Sequence, residues 1–335
     1  MTTTTGDQLA VISQTGSTVT FLDATGHELL AVVDAPPQPH ELCFDPDHRL
    51  LYCSSTYRSG YYDANEGRSH ELTVIDVDTH TVVTTLDLRP DHGPHGLALD
   101  RRRSRLYVSV EATDTEPGGV LVLDSRTHAR LGRIPAMAPG PHWLVVTPDG
   151  RRGYTTNKEA PFVSVLDLDH GVFTDRIPVP GSEGLALTPD GRRLIVATPK
   201  ADPVSRNQAE PALHIIDTTT DETVRTLPTK GHVMPVHLTT DGTLLTGALR
   251  PDPEPGVLTV HAPETFTPIG EVEVGRFPLT VTSSPDGRRA YVSGNACGTV
   301  TVIDLHTLQT VATLSPERTG ISGAHGLAYI EAAQN

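Results

Sequence analysis

Apolar residues along this chain come in short alternating runs, each closed by Asp, Pro or Gly. The stretch GPHWLVVTPDGRRGYTTNKEAPFVSVLDLDHGVFTDRIPV, beginning at Gly140, holds four of them: WLVVT, RGYTTN, FVSVLDL and FTDRIPV. PDG, a loop and DHG separate the runs. Period-two alternation over so few residues predicts strands, because a helix needs apolar positions at period 3.6 over a longer span. Asp, Pro and Gly supply the backbone angles that a tight turn between strands requires.

The same order of runs and turns recurs from His40, His95, Glu183, Met234 and Leu279. A four-strand unit repeating at about forty to fifty-five residues predicts propeller blades. After Leu314 the chain supplies one further strand, HGLAYI, while LAVIS, TVTFLD and ELLAVV at the other end supply three. A blade built from both termini closes the ring and leaves no open sheet edge. The expectation is an all-β, seven-bladed β-propeller with four-stranded blades, a single domain over residues 1–335. Composition agrees: 29 Gly and 28 Pro suit a chain rich in turns, and these are the two poorest helix formers.

The units PDGRRAYVSGNACGTVTVIDLHTLQTVATL and PDGRRGYTTN…FVSVLDL resemble the YVTN-type seven-bladed propeller repeat family over nearly the whole chain. The resemblance implies the fold. It leaves the activity open, since that family holds binding proteins and lactonase-like enzymes alike. Its members are often exported, whereas MTTTTGDQLAVIS shows neither a basic region nor an apolar core, so a cytoplasmic location is expected. No apolar run approaches the ~18 residues of a membrane helix. A net charge of −15, with no basic run beyond Arg101-Arg102-Arg103, excludes the phosphate-neutralising surface of a nucleic-acid binder. Cys43, Cys53 and Cys297 lack paired spacing and read as reduced thiols.

Registering each blade on its PDG-type turn brings His40, His95, His142, Glu183, Met234, Leu279 and His325 to one equivalent seat, at the start of the innermost strand. In circular order from the closing blade the seats read His325, His40, His95, His142, Glu183, with Met234 and Leu279 opposite. Imidazole and carboxylate donors converging on an axis suit a first-row divalent metal: zinc, iron, manganese, nickel or copper. The competing explanation is inheritance, a histidine copied from blade to blade that serves each time as a structural hydrogen-bonding residue. Glu183 weighs against it, because a buried acid needs a partner. His92 and His232 sit in connecting loops within reach of the mouth, and His237 reads as a core-packing or inter-blade hydrogen-bonding residue. His27, His48, His80, His128, His170, His261 and His306 read as solvated.

Loops joining second to third strands share the face of the seats, and such loops on a rigid scaffold commonly build pockets. They offer Tyr57, Arg58, Tyr62, Glu111, Asn157, Lys158, Arg206 and Arg250 as substrate-binding candidates, beside Met234 and Leu279. The functional expectation is a metal-dependent enzyme acting on a small organic molecule at the axial pocket. Its chemistry would be that of a non-redox lyase, isomerase or hydrolase, with the four histidines as ligands, Glu183 as fifth ligand, as an anchor behind the ligands or as general base, and Glu183 or a free histidine moving the proton. Two rivals remain: an iron- or copper-dependent oxygenase or oxidase with a four-histidine centre, and a non-catalytic propeller that binds a protein or ligand. No oligomeric state is legible.

Overall fold

A computed structural model describes residues 6–60, 64–198, 210–316 and 323–333. Its strands form seven four-stranded antiparallel sheets arranged as the blades of a ring. The innermost strands are β4 (Pro39–Asp45), β8 (Leu97–Asp100), β12 (Pro141–Val146), β16 (Leu185–Leu187), β20 (Val233–Leu238), β24 (Pro278–Ser283) and β28 (Ala324–Ile330). They open blades one to six and the closing blade in that order, and each touches the next around the axis. β28 pairs with β1 (Gln8–Ser13), so the closing blade takes one strand from the C-terminal side and three from the N-terminal side, as the sequence predicts.

The core lies between blades. Tyr52, Leu72 and Val74 of blade one pack on Leu106, Val108 and Leu121 of blade two, all fully buried. Ile12, Val19 and Phe21 of the closing blade pack likewise on Leu51, Cys53 and Ile75. Each such side chain contributes about 1.5–3 kcal/mol through burial, so stability depends on every blade having both neighbours. On the face that carries the PDG turns, ion pairs bridge the seams: Arg101 to Asp47, Arg103 to Asp169 and Arg152 to Asp221.

Repeated local chemistry makes the blades alike. Asp23, Asp76, Asp124, Asp167, Asp217 and Asp304 end the third strands, and each carboxylate accepts from backbone N–H groups two or three residues on. This is the Asx turn that reverses the chain into the outer strand. All three cysteines are free thiols. No helix among the described residues is long and apolar enough to cross a membrane.

Two histidine expectations are settled here. His237 of blade five does bridge blades, with Nε2 2.9 Å from Ser283 Oγ of blade six. His261, expected to be solvated, is buried. It ends the third strand of blade five, where Thr246 Oγ1 at 3.0 Å and Phe266 O at 3.1 Å satisfy both ring nitrogens.

Candidate functional site

The seats meet at the axis. His40, His95, His142, Glu183, Met234, Leu279 and His325 line one cavity together with Glu41 and Trp143. Its volume is about 20 Å³, room for one water molecule or ion. His40, His95, His142, Glu183 and His325 are all buried.

Local sequence explains how seven strands approach so closely. In blades two, four and seven the seat is followed by Gly96, Gly184 and Gly326. A Cβ on Gly96 would stand 2.5 Å from the carbonyl oxygen of His142, and one on Gly326 would stand 2.6 Å from that of His40. Gly184 makes the same approach to Met234 O. Only glycine allows the neighbouring blade's seat to press against that backbone. Bulges then aim the seats: register shifts between Pro39 and Leu42 and between Pro141 and Leu144, at His40 and His142. Ser54 Oγ donates to His95 O at 2.8 Å and Ser109 Oγ to His142 O at 2.5 Å, tying each seat to the preceding blade.

The four histidines pack ring against ring. Centroids are 4.1 Å apart for His325 and His40, 4.3 Å for His40 and His95, and 3.8 Å for His95 and His142. A carboxylate stands at each end of this arc. Glu183 Oε2 lies 3.1 Å from His142 Nδ1, and Glu41 Oε1 lies 3.7 Å from His325 Nδ1. His40 Nδ1 meets Gln14 Nε2 at 3.1 Å, and Asn295 Nδ2 donates to Gln14 Oε1 at 3.2 Å. Three Nδ1 atoms thus face a polar neighbour. Among the described residues, neither nitrogen of His95 meets a hydrogen-bond partner.

Burial, the largest cause, keeps His40, His95 and His325 neutral. It drives His40 and His95 well below the ordinary histidine value, helped by neighbouring histidines and by the Lys158 charge. His325 falls to about 3 by burial. Glu41, also by burial, rises well above the usual carboxylate range.

Lys158, Tyr57 and Glu111 form a buried network beside this arc. Lys158 Nζ donates to Tyr57 Oη and to Glu111 Oε1, both at 2.9 Å, and Tyr57 Oη donates to Glu111 Oε1 at 2.7 Å. Arg68 Nε donates to Glu111 Oε2 at 2.5 Å. Burial raises Glu111, but Lys158, Tyr57 and Arg68 outweigh it and bring its carboxyl to about 2. Tyr57 stands edge-on to His40, with ring centroids 6.4 Å apart.

The other loop candidates do not gather here. Asn157 is turned into its own blade, donating to Phe162 O and Ser164 Oγ. Arg250 reaches Glu273 at 3.4 Å, and Arg58 is exposed. Tyr62 and Arg206 lie outside the described residues. His92 is half-buried, its pKa lowered by burial and by Arg68. Glu41 and Gln14 are the participants that sequence reasoning missed. Glu41 carried a signal: it stands where blades two, four and seven have glycine, as does Trp143, and both of these departures line the cavity. Gln14 follows a strand of the other terminus and bore no local mark.

Among the described residues, no three His, Cys, Asp or Glu side chains are gathered into a formed metal-holding group. Coordination would require the stacked imidazoles to turn toward one point. The donor chemistry nevertheless fits a metal, with neutral imidazoles at His40, His95 and His325, Nδ1 atoms backed by carboxylate or amide groups, and nitrogens on His95 that meet no partner among the described residues.

Fold and site together define a seven-bladed β-propeller that gathers four buried histidines on its axis. No family model matches the chain. Its sequence is similar to the protein YncE of Salmonella typhi and of Salmonella typhimurium, 26% identical over 243 residues. The match covers 68% of this chain and 62% of each relative, so it spans under two thirds of their length, and it accords with the YVTN-type repeats. Among solved structures the fold is similar to the Kuenenia stuttgartiensis hydrazine synthase (TM-score 0.68, 16% identity, 89% of this chain and 96% of that one). It is also similar to the dihydro-heme d1 dehydrogenase NirN in complex with DHE (TM-score 0.66, 18% identity, 98% and 76%). At such identities the likeness is one of fold.

Proposed function

We propose that the axial arc is the metal centre of an enzyme acting on a small molecule, with His40, His95, His142 and His325 as ligands. The observation that carries this is His95, buried between two other imidazoles with no hydrogen-bond partner among the described residues for either ring nitrogen. A buried polar atom left unpaired costs about 1–3 kcal/mol, and a packing role would have favoured an apolar residue there.

Glu183 serves best as the group that orients His142 and raises its basicity, rather than as a fifth ligand, because its carboxylate faces Nδ1. Glu41 is the proton carrier. It lines the cavity, Oε1 meets no hydrogen-bond partner among the described residues, and burial favours its protonated form. Met234 and Leu279 keep the far side apolar and water-poor. A bound metal would supply Lewis-acid polarisation of a substrate oxygen, the chemistry of a lyase, isomerase or hydrolase.

A four-nitrogen set with carboxylates behind it rather than within it also suits iron or copper, which keeps the oxygenase reading as the second choice. Trp143, the single tryptophan, lines the cavity with its ring centroid 6.3 Å from that of His142. Copper(II) or cobalt(II) added to metal-stripped protein should therefore quench its fluorescence saturably, and His95→Ala should abolish the saturable phase. Quenching that is linear in both proteins would remove support from both metal readings.

A further inference from the structure

One ring nitrogen of the arc is governed by an amide. The Nδ1 atoms of His142 and His325 face carboxylates, whereas that of His40 faces the side chain of Gln14. Gln14 lies buried just after β1, and its backbone N–H donates at 2.8 Å to the carbonyl of Gly323, the residue before β28. Asn295 opens a short turn in blade six, Asn295–Cys297, and its backbone N–H donates to Phe277 O at 3.0 Å. Both amides therefore hang from backbone that is tied down. Their side chains link blade six to the closing blade and then to blade one. Asn295 Nδ2 donates to Gln14 Oε1 at 3.2 Å, and Gln14 Nε2 donates to His40 Nδ1 at 3.1 Å. Among the described residues, neither side-chain amide makes any other hydrogen bond.

An amide nitrogen only donates and an amide oxygen only accepts. While Gln14 Nε2 faces Nδ1, that ring nitrogen must present its lone pair. His40 is held neutral, chiefly by burial, so its one ring proton then sits on Nε2. In this state His40 has no lone pair left for a metal. Turning both amides over keeps the same number of hydrogen bonds: Nδ1–H donates to Gln14 Oε1, and Gln14 Nε2 donates to Asn295 Oδ1. The ring proton has moved from Nε2 to Nδ1, with no change in charge or in protons bound, and the Nε2 lone pair is free. A carboxylate in place of Gln14 would favour the second order alone, and an apolar residue would favour neither. Glutamine serves both.

We infer that Gln14, oriented by Asn295, is a positioning residue that sets which nitrogen of His40 carries the proton, and thereby whether His40 can join the metal centre. This deepens the metal-enzyme reading and rests on it only for the use made of the freed nitrogen.

The tautomer is read by two-bond proton–nitrogen correlation NMR on the metal-free full chain with isotope-labelled histidine, at neutral pH. The His40 signals are those lost in His40→Asn. In the wild type His40 should be protonated at Nε2. Asn295→Asp offers Gln14 acceptors only and is not bonded to His40, yet it should replace that form with the Nδ1–H form. Gln14→Met removes the amide and should leave the two forms mixed. A clasp that merely ties blades together would leave the tautomer unmoved in Asn295→Asp. That result overturns the inference, as does a wild type already protonated at Nδ1 or a Gln14→Met spectrum like that of the wild type. Should Gln14→Met not fold, Asn295→Asp decides, being an exchange of like shape at a half-buried position. Copper(II) titrated into the same samples separates the two claims. Gln14→Met should bind it about tenfold or more weakly than the wild type, the usual loss when the group behind a ligand is removed, and equal affinity would overturn the inference. If copper binds to none of the samples while the tautomer still switches, the metal reading fails and the control of His40 by Gln14 stands.

Discussion

Histidine at the seats has a consequence for acid stability. His40, His95 and His325 are held neutral by burial, His325 with its pKa at about 3. The unfolded chain takes up protons near pH 6.5 that the folded one refuses. Stability is therefore full above that value and falls as the pH drops toward the folded one, by up to about 1.4 kcal/mol per pH unit for each histidine. Glu111, depressed to about 2 in the fold, adds a loss in the same direction at lower pH, while Glu41, raised by burial, opposes it. Replacing His95 by Asn should flatten the pH dependence of urea unfolding between pH 6.5 and 5 by about one proton. Parallel curves for variant and wild type would show that His95 titrates normally. The seats were readable in the sequence because one turn, PDG, registers every blade. The role of Asn157 was not, since a polar residue at a strand end finds partners in its own blade as readily as in a pocket.

Inner strands owe their closeness to the glycine after the seat. Gly96→Ala would drive a methyl group into His142 O. It should cost about 1–3 kcal/mol in denaturant unfolding, the range of overpacking, and should splay two neighbouring seats. Gly132→Ala is the control, since an added Cβ there meets nothing within 4 Å and should leave stability nearly unchanged. Equal effects would mean that the HG step reflects strand propensity and not packing at the axis. Strand number and order were legible because short alternating runs and Asx turns recur in every unit. The bulges that aim His40 and His142 were not, because a one-residue register shift leaves no mark in an apolar run.

At the scale of the whole ring, closure depends on β28. Removing residues 323–333 would take His325 from the site and leave β1 with an unpaired edge. The truncated chain should lose its monodisperse peak in light-scattering chromatography and aggregate. An unchanged peak would show that six blades and a fragment suffice. The closure was legible because QLAVISQTGSTVTFLD at one end matches RAYVSGNACGTVTVID within blade six. Chemistry at the centre was legible only in part: four histidines and Glu183 share an equivalent seat, and Glu41 departs from the glycine that follows the seat in three blades, while Gln14 reaches the arc from a position that no repeat register connects to it. The measurement that tests the central claim most directly is the metal content of the full chain, purified without a histidine tag, beside its His95→Ala and His142→Ala variants. The account predicts close to one equivalent of a first-row metal in the wild type and its loss from both folded variants. A metal-free wild type that takes up no metal on loading, with variants equally stable and unaltered, would contradict it.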